Sequence, residues 1–258
     1  MVKAVPGILA QIIEQKKTEL LDRDPEVEKL AQESIRSRRD FRAALLSRPL
    51  AVIAEIKKAS PSRGVISEHF DPPAIASLYE RGGAAALSVL TDQKYFQGSF
   101  EHLRSARRVT RLPVLRKDFT IDEYHVLEAA AHGADAILLI AAALDVRRLR
   151  TFRELADEYG MSALVEVHDE DELREAVDSG ALIIGVNNRD LRTFEVSLDV
   201  SLRLAGRMPS NVIRVAESGI QTSDHVRALQ RAGFRGLLVG EHLMRSGNPE
   251  YALRKLLS

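Results

Sequence analysis

Cysteine is absent from the 258 residues, so the chain holds no disulfide, no thiolate metal site and no cysteine nucleophile, and a reducing compartment leaves it unaffected. Excess charge is absent as well, with 37 Lys and Arg balancing 37 Asp and Glu. Without a net basic field there is no general attraction to nucleic acid or to an anionic membrane surface, and any anionic ligand must be held locally. Aromatic residues are only 5% of the chain, and Arg147, Arg148, Arg150 and Arg153 are spaced like a solvated helix face rather than like base readers with aromatic platforms. No window of about 18 uncharged apolar residues occurs. The first residues put Gln11 and Glu14 where a secretory signal would need an apolar core, so the chain is expected to be soluble and cytoplasmic.

Several catalytic signatures are missing too. The seven histidines, at 69, 102, 125, 132, 168, 225 and 242, show neither HxH nor HExxH spacing, so no metal is expected. There is no GxSxG elbow, and Ser60 and Ser62 beside Pro61 read as loop formers. The KKASPSRG stretch, residues 57 to 64, is not the GxGxxG loop, which counts against a dinucleotide fold.

What is present is a globular composition, 45% hydrophobic and 29% charged, with core to bury. Ile8, Leu9, Ile12, Ile13, Leu20 and Leu21 mostly recur at helical spacing, which predicts an amphipathic helix from about residue 8 to 21. The charged stretch 22–40 and the apolar 41–46 predict further helix. Beyond Pro49 come eight short apolar runs: AVIAEIK from Ala51, AALSVL from Ala85, LPVLRKD from Leu112, DAILLI from Asp135, SALVEVHD from Ser162, ALIIGVN from Ala181, NVIRVAESG from Asn211 and FRGLLVG from Phe234. Helical patterns separate them, including one that ends in Gly133 and one with Asp169 as candidate N-cap and Gly180 just past its end. Near-continuous apolar strands alternating with helices predict a parallel sheet covered by helices, and eight units predict closure into a single-domain (β/α)8 barrel. No linker interrupts residues 50–258, so the expectation is one domain over 1–258 whose residues 1–48 form a helical extension; an open doubly wound sheet is the alternative.

In such a barrel, side chains at the carboxyl ends of the strands converge on one mouth. The first strand ends Glu55-Ile56-Lys57, and the period of two sends both charges to one face. Later strands run into Lys117, Glu166, Asn187 and Glu217. Solvated strand ends or structural ion pairs would explain any one of these. Together, lysines and glutamates facing one apolar cavity perturb each other's ionisation and can supply an acid and a base near neutral pH. The last two strands lead to Glu217-Ser218-Gly219 and Val239-Gly240-Glu241, each ahead of a helical pattern, where glycine lets backbone N–H groups approach a phosphate. A bulky residue at either glycine is expected to weaken phosphate binding without unfolding the chain if the glycine φ is negative.

The segments EIKKASPSRG (55–64), LRKDF (115–119), ADAILLI (134–140), LVEVHD (164–169), IGVNNRDL (184–191), VAESGI (215–220) and LLVGEHLM (237–244) resemble those of the indole-3-glycerol phosphate synthases, in the same order and over essentially residues 3–254. The resemblance implies a cofactor-free lyase of tryptophan biosynthesis that converts 1-(2-carboxyphenylamino)-1-deoxyribulose 5-phosphate to indole-3-glycerol phosphate with loss of CO2 and water. It implies Lys117 as main general acid, Glu166 as general base, and Lys57 as a second cation that positions substrate and is a further candidate donor. Glu55, Asn187 and Glu217 would orient these groups, with Ser218 beside them. The backbone around Gly219, Gly240 and Glu241 would hold the phosphate, Ser60 and Arg189 the aromatic carboxylate, and Phe96 and Phe119 the ring, ordinary packing being the other reading of the two phenylalanines. Glu241 and Asn188 are positions where some members carry serine, and a carboxylate at 241 suits a phosphate only if its side chain points away. The implied partner is a phosphorylated small molecule, bound by a monomer or weak homo-oligomer. A related barrel isomerase and a non-catalytic scaffold are the competing readings; the isomerase pattern carries a cysteine that this chain lacks.

Overall fold

The computed structural model describes residues 2–5, 7–61, 63–67 and 69–258; Ser62 lies outside them. The apolar runs form strands where read: β1 (Ala51–Ile56), β4 (Ala86–Leu90), β5 (Val114–Lys117), β6 (Ala136–Ile140), β7 (Ser162–Val167), β8 (Ile183–Asn187), β9 (Ile213–Glu217) and β10 (Gly236–Val239). Between β1 and β4 a small antiparallel hairpin, β2 (Ala59–Ser60) with β3 (Gly64–Val65), stands on the loop that follows β1 and was not foreseen. The eight longer strands pair in parallel in the circular order β1-β10-β9-β8-β7-β6-β5-β4, closing through Glu55 opposite Ser88 on one side of β1 and Ala51 opposite Gly236 on the other. Closure removes both sheet edges, and helices outside with side chains inside bury the strands on both faces, which is why they read as unbroken apolar runs. All six residues of β1 are buried, Glu55 included.

The helices start where short polar side chains can take up free backbone N–H groups. Asp71, Asp122, Asp145 and Asp169 each accept from a backbone N–H in the first turn behind them, and Pro72 occupies the first helical position of Pro72–Gly82. Gly180, left-handed at φ 82°, ends Glu170–Asp178 as its sequence position suggested.

The segment before β1 folds as the helices Gly7–Glu19, Val27–Ser34 and Phe41–Leu46, all outside the barrel as expected. It is fastened by directed bonds as well as by packing. The Ser34 hydroxyl donates to the Ala130 carbonyl at 2.7 Å, Arg38 Nε donates to the Tyr159 carbonyl at 3.0 Å, and the Arg39 backbone N–H reaches buried Asp135 at 2.8 Å. Lys16 is the deepest anchor. Its ammonium is 2.9 Å from Asp118 and 3.3 Å from Asp92, with all three side chains almost fully buried. That contact places Gly7–Glu19 over the carboxyl ends of β4 and β5, where Ile8, Leu9 and Ile12 join the wall of the mouth.

Candidate active site

At the carboxyl ends of the strands lies a cavity of about 780 Å³, and every site residue read from the sequence lines it. Glu55 and Lys57 alternate inward across Ile56, and the Lys57 ammonium is 2.7 Å from Glu55 Oε1. On the other side of the mouth Lys117, at the end of β5, lies 3.0 Å from Glu166 of β7 and 3.4 Å from Glu217 of β9. Asn187 ends β8 in register with Glu217, and its side-chain oxygen accepts from the Arg189 backbone N–H at 3.0 Å.

Burial and neighbours set these groups apart. Burial alone disfavours the Lys117 ammonium, but Glu166, Glu217 and Glu55 outweigh it and hold Lys117 protonated well above its ordinary range. Burial likewise disfavours the Glu166 carboxylate, yet Lys117, His168 and hydrogen bonds from Lys117 and Asn187 keep it ionised, below the usual carboxylate range. Glu217 goes the other way: burial and the charges of Glu166 and Glu55 overcome Lys117 and raise its proton affinity, and its Oε1 is buried without a hydrogen-bond partner among the described residues. The resting cavity thus holds a protonated amine and an ionised carboxylate in contact, a pairing with the chemistry to give up and to take a proton.

The loops after β9 and β10 differ from each other. Ser218 at φ 66° and Gly219 at φ 79° are consecutive left-handed residues, a turn that costs a serine of order 1–3 kcal/mol and tends to mark a functional site. The following helix starts only at Ser223, capped by Thr222, whereas Glu241–Met244 begins directly after Gly240. The condition of a negative glycine φ therefore fails at Gly219, where an added Cβ would also stand 2.5 Å from Val196 Cγ1. At Gly240 the backbone is not left-handed (φ −123°), but an added Cβ would press to 3.0 Å from the Glu55 Cβ and closer still to its carboxylate. Neither glycine can be enlarged without straining the site.

Glu241 turns its carboxylate toward cations. Arg63 is 3.4 Å away, and Arg189 and Arg245 are each 3.6 Å away. Arg189 is thereby tied to the Gly240 loop and donates to the Phe194 carbonyl at 3.2 Å. Asn188 is buried and braces the strand ends, its amide donating to the carbonyls of Glu217 at 3.0 Å and Ser218 at 3.1 Å. Phe96 and Phe119 face one another at 6.0 Å between ring centres on the rim. Ser60 sits on the β2–β3 hairpin beside Lys57. Among the described residues no cluster of three or more His, Asp or Glu is placed to hold a metal ion, and no helix is long and apolar enough to cross a membrane.

Sequence reading missed the inner face of Gly7–Glu19, the two further arginines at Glu241, and His168 behind Glu166. The helical spacing of Ile8, Leu9 and Ile12 announced a buried face, but only the fold says what that face covers.

Fold and mouth together define a (β/α)8 barrel with a cluster of lysine and glutamate at the carboxyl ends of its strands. The sequence pattern described as indole-3-glycerol phosphate synthase matches residues 9–256. Proteins called indole-3-glycerol phosphate synthase from Chromobacterium violaceum and Koribacter versatilis are 54% identical over 223 residues and 51% identical over 238, covering 85% and 91% of this chain and 84% and 91% of theirs. That of Polaromonas naphthalenivorans is 48% identical across 96% of this chain and 98% of its own. The chain belongs to the indole-3-glycerol phosphate synthase family, carboxy-lyases of tryptophan biosynthesis. Among solved structures, a thiamine phosphate pyrophosphorylase from Pyrococcus furiosus superposes with TM-score 0.62 at 18% identity, over 82% of this chain and 96% of that one, a likeness of fold alone.

Proposed function

We propose that this cavity closes the indole ring of 1-(2-carboxyphenylamino)-1-deoxyribulose 5-phosphate, with Lys117 as the proton donor and Glu166 as the base. The observation that carries the assignment is the 3.0 Å contact between a half-buried, protonated Lys117 and a buried, ionised Glu166 in one cavity. The ring carbon bearing the carboxylate attacks the sugar carbonyl while Lys117 protonates its oxygen. The carbon–carbon bond to the carboxylate then breaks, its electron pair restores the aromatic ring, and CO2 leaves. In the last step Glu166 takes a proton from the methylene carbon, the C–H pair becomes the new double bond, and the hydroxyl leaves as water on receiving a proton from a lysine.

Glu55 holds Lys57, which positions the substrate and is the second donor, while Asn187, Glu217 and Ser218 orient the reacting groups and the substrate hydroxyls. The N–H groups around Gly219 and Gly240 with Glu241, assisted by Lys57, bind the phosphate. The Glu241 carboxylate is paired with Arg63, Arg189 and Arg245, which offset its charge beside the anion. Ser60 and Arg189 take the aromatic carboxylate, and Phe96 and Phe119 flank the ring. Residues 1–258 act as one catalytic unit with 1–48 as its extension, a cytoplasmic enzyme needing no cofactor or metal, binding no nucleic acid, and working as a monomer or weak homo-oligomer.

The test is an assay with that substrate, following indole absorbance and CO2 release, for the wild type, Lys117→Arg and Lys117→Ala. Loss of one positioned acid lowers kcat by roughly 10² to 10⁴ with a smaller effect on KM. Arginine keeps the charge but does not release its proton at neutral pH, so it should not rescue the reaction. A Lys117→Arg enzyme with most of the wild-type kcat would make Lys117 a charge clamp and Lys57 the donor.

A further inference from the structure

His168 has no part in the chemistry described so far and does not line the cavity, yet it is the group behind the base. It lies two residues beyond Glu166 on the same chain, so both side chains leave the end of β7 toward one side. The two oxygens of Glu166 face different cations: Oε2 takes the Lys117 ammonium at 3.0 Å, while Oε1 lies 3.4 Å from His168 Nε2. His168 is itself held. Glu172 Oε2 accepts both from the His168 backbone N–H at 2.8 Å and from ring Nδ1 at 2.9 Å. The result is a chain of carboxylate, imidazole and carboxylate running from the sealed floor of the mouth, where the Glu166 side chain is 3% exposed, to side chains 15% and 16% exposed at His168 and Glu172.

An imidazole with one nitrogen fixed by a carboxylate has the tautomer and orientation of its other nitrogen decided for it. Here that other nitrogen, Nε2, is buried without a hydrogen-bond partner among the described residues and lies nearest the oxygen of Glu166 that Lys117 leaves open. We infer that His168 is a positioning residue for the reaction, holding the Glu166 carboxylate on the side opposite Lys117 with Glu172 as its own orienting partner. The inference rests on reading Glu166 as the base.

Among the described residues the charges that act most strongly on His168 share one sign. Besides Glu166 on β7 there are Glu172 on Glu170–Asp178, Glu217 at the end of β9 and, at the exposed edge, Asp190 on the loop after β8, while Lys117 lies beyond Glu166. Burial works against a charged imidazole, but these carboxylates prevail and raise its proton affinity. A protonated His168 in turn helps keep Glu166 ionised. Removing it therefore raises the proton affinity of Glu166, and the acid limb of the kcat–pH profile moves to higher pH.

The experiment compares His168→Ala, His168→Gln and Glu172→Gln with the wild type, recording kcat and KM across pH together with melting temperature. The expected result is a fall in kcat of about tenfold to a hundredfold for His168→Ala, the scale on which an orienting partner acts, with KM changed less than about threefold and the acid limb displaced upward. His168→Gln, which restores a donor without the charge, should recover part of kcat while its acid limb stays displaced, and Glu172→Gln should show a weaker form of the His168→Ala behaviour. An acid limb that moves in neither His168 variant, or a loss confined to KM or melting temperature, overturns the inference. Glu166→Gln separates the two readings: if it stays active the base assignment fails, and if it is inactive while the His168 variants are normal only the present inference fails.

Discussion

Lys16→Met removes the ammonium that joins the first helix to the barrel while keeping a long apolar stem in place. Lys16 Nζ is 2.9 Å from Asp118 Oδ1 and 3.3 Å from Asp92 Oδ2, and both aspartates are almost fully buried. At an effective dielectric constant of about 20 each contact amounts to roughly 5 to 6 kcal/mol of Coulomb attraction, against which stands the desolvation of three charges. Breaking such a pair from one side costs about 3 to 5 kcal/mol, because the remaining charge is stranded. Asp118 keeps Arg116 at 3.2 Å and the Thr91 hydroxyl at 2.5 Å, so Asp92 is the stranded one and the lower end of the range applies. For a chain of this size about 3 kcal/mol lowers Tm by roughly 6 to 12 °C. The loss has a definite pH dependence. Burial favours a protonated Asp118, but Arg116 and Lys16 prevail and hold it ionised, depressed below its unfolded value; that stability is present above the unfolded range near pH 4 and disappears as pH falls through the folded value. The gap between variant and wild type is therefore widest at neutral pH and closes in acid, where Asp92, already raised by burial, takes up a proton. Urea denaturation at pH 7 and pH 4 measures both points. A variant within about 1 kcal/mol of wild type at pH 7, or a gap that widens in acid, would refute this account.

Glu166→Gln preserves shape and loses the base, so turnover should fall at least a hundredfold and a decarboxylated species awaiting dehydration should accumulate in rapid-quench experiments. Gly219→Ala should cost about 1 kcal/mol or more in a denaturant titration, because its backbone is left-handed and its Cβ would press on Val196, and it should raise KM in the same protein. Gly240→Ala should lower kcat as well as raise KM, since its Cβ would displace the Glu55 carboxylate that holds Lys57. A dephosphorylated substrate should lose kcat/KM by several orders of magnitude, because binding energy at the phosphate helps orient the reacting carbons; equal kcat/KM with and without the phosphate would remove the phosphate site from the account.

The strands were legible because a parallel barrel buries both faces and so writes eight unbroken apolar runs, and the helix starts because an N-cap is a local bond within a few residues. The shared face of Glu55 and Lys57 was legible as well, since the period of two operates along a single extended run. Nothing local could show that Lys117 touches Glu166, 49 positions along the chain, or that Lys16 reaches Asp118 across 102. Barrel closure brings those partners together. His168 shows the limit most plainly: scanned for metal spacing it was unremarkable, and its place behind Glu166 depends on how the following helix sets Glu172 against it. Ionisation belongs to the same class. Glu166 and Glu217 are the same residue type at the ends of two similar strands, yet one is held ionised and the other raised toward protonation, because the balance of burial, hydrogen bonds and neighbouring charge exists only once the strands converge.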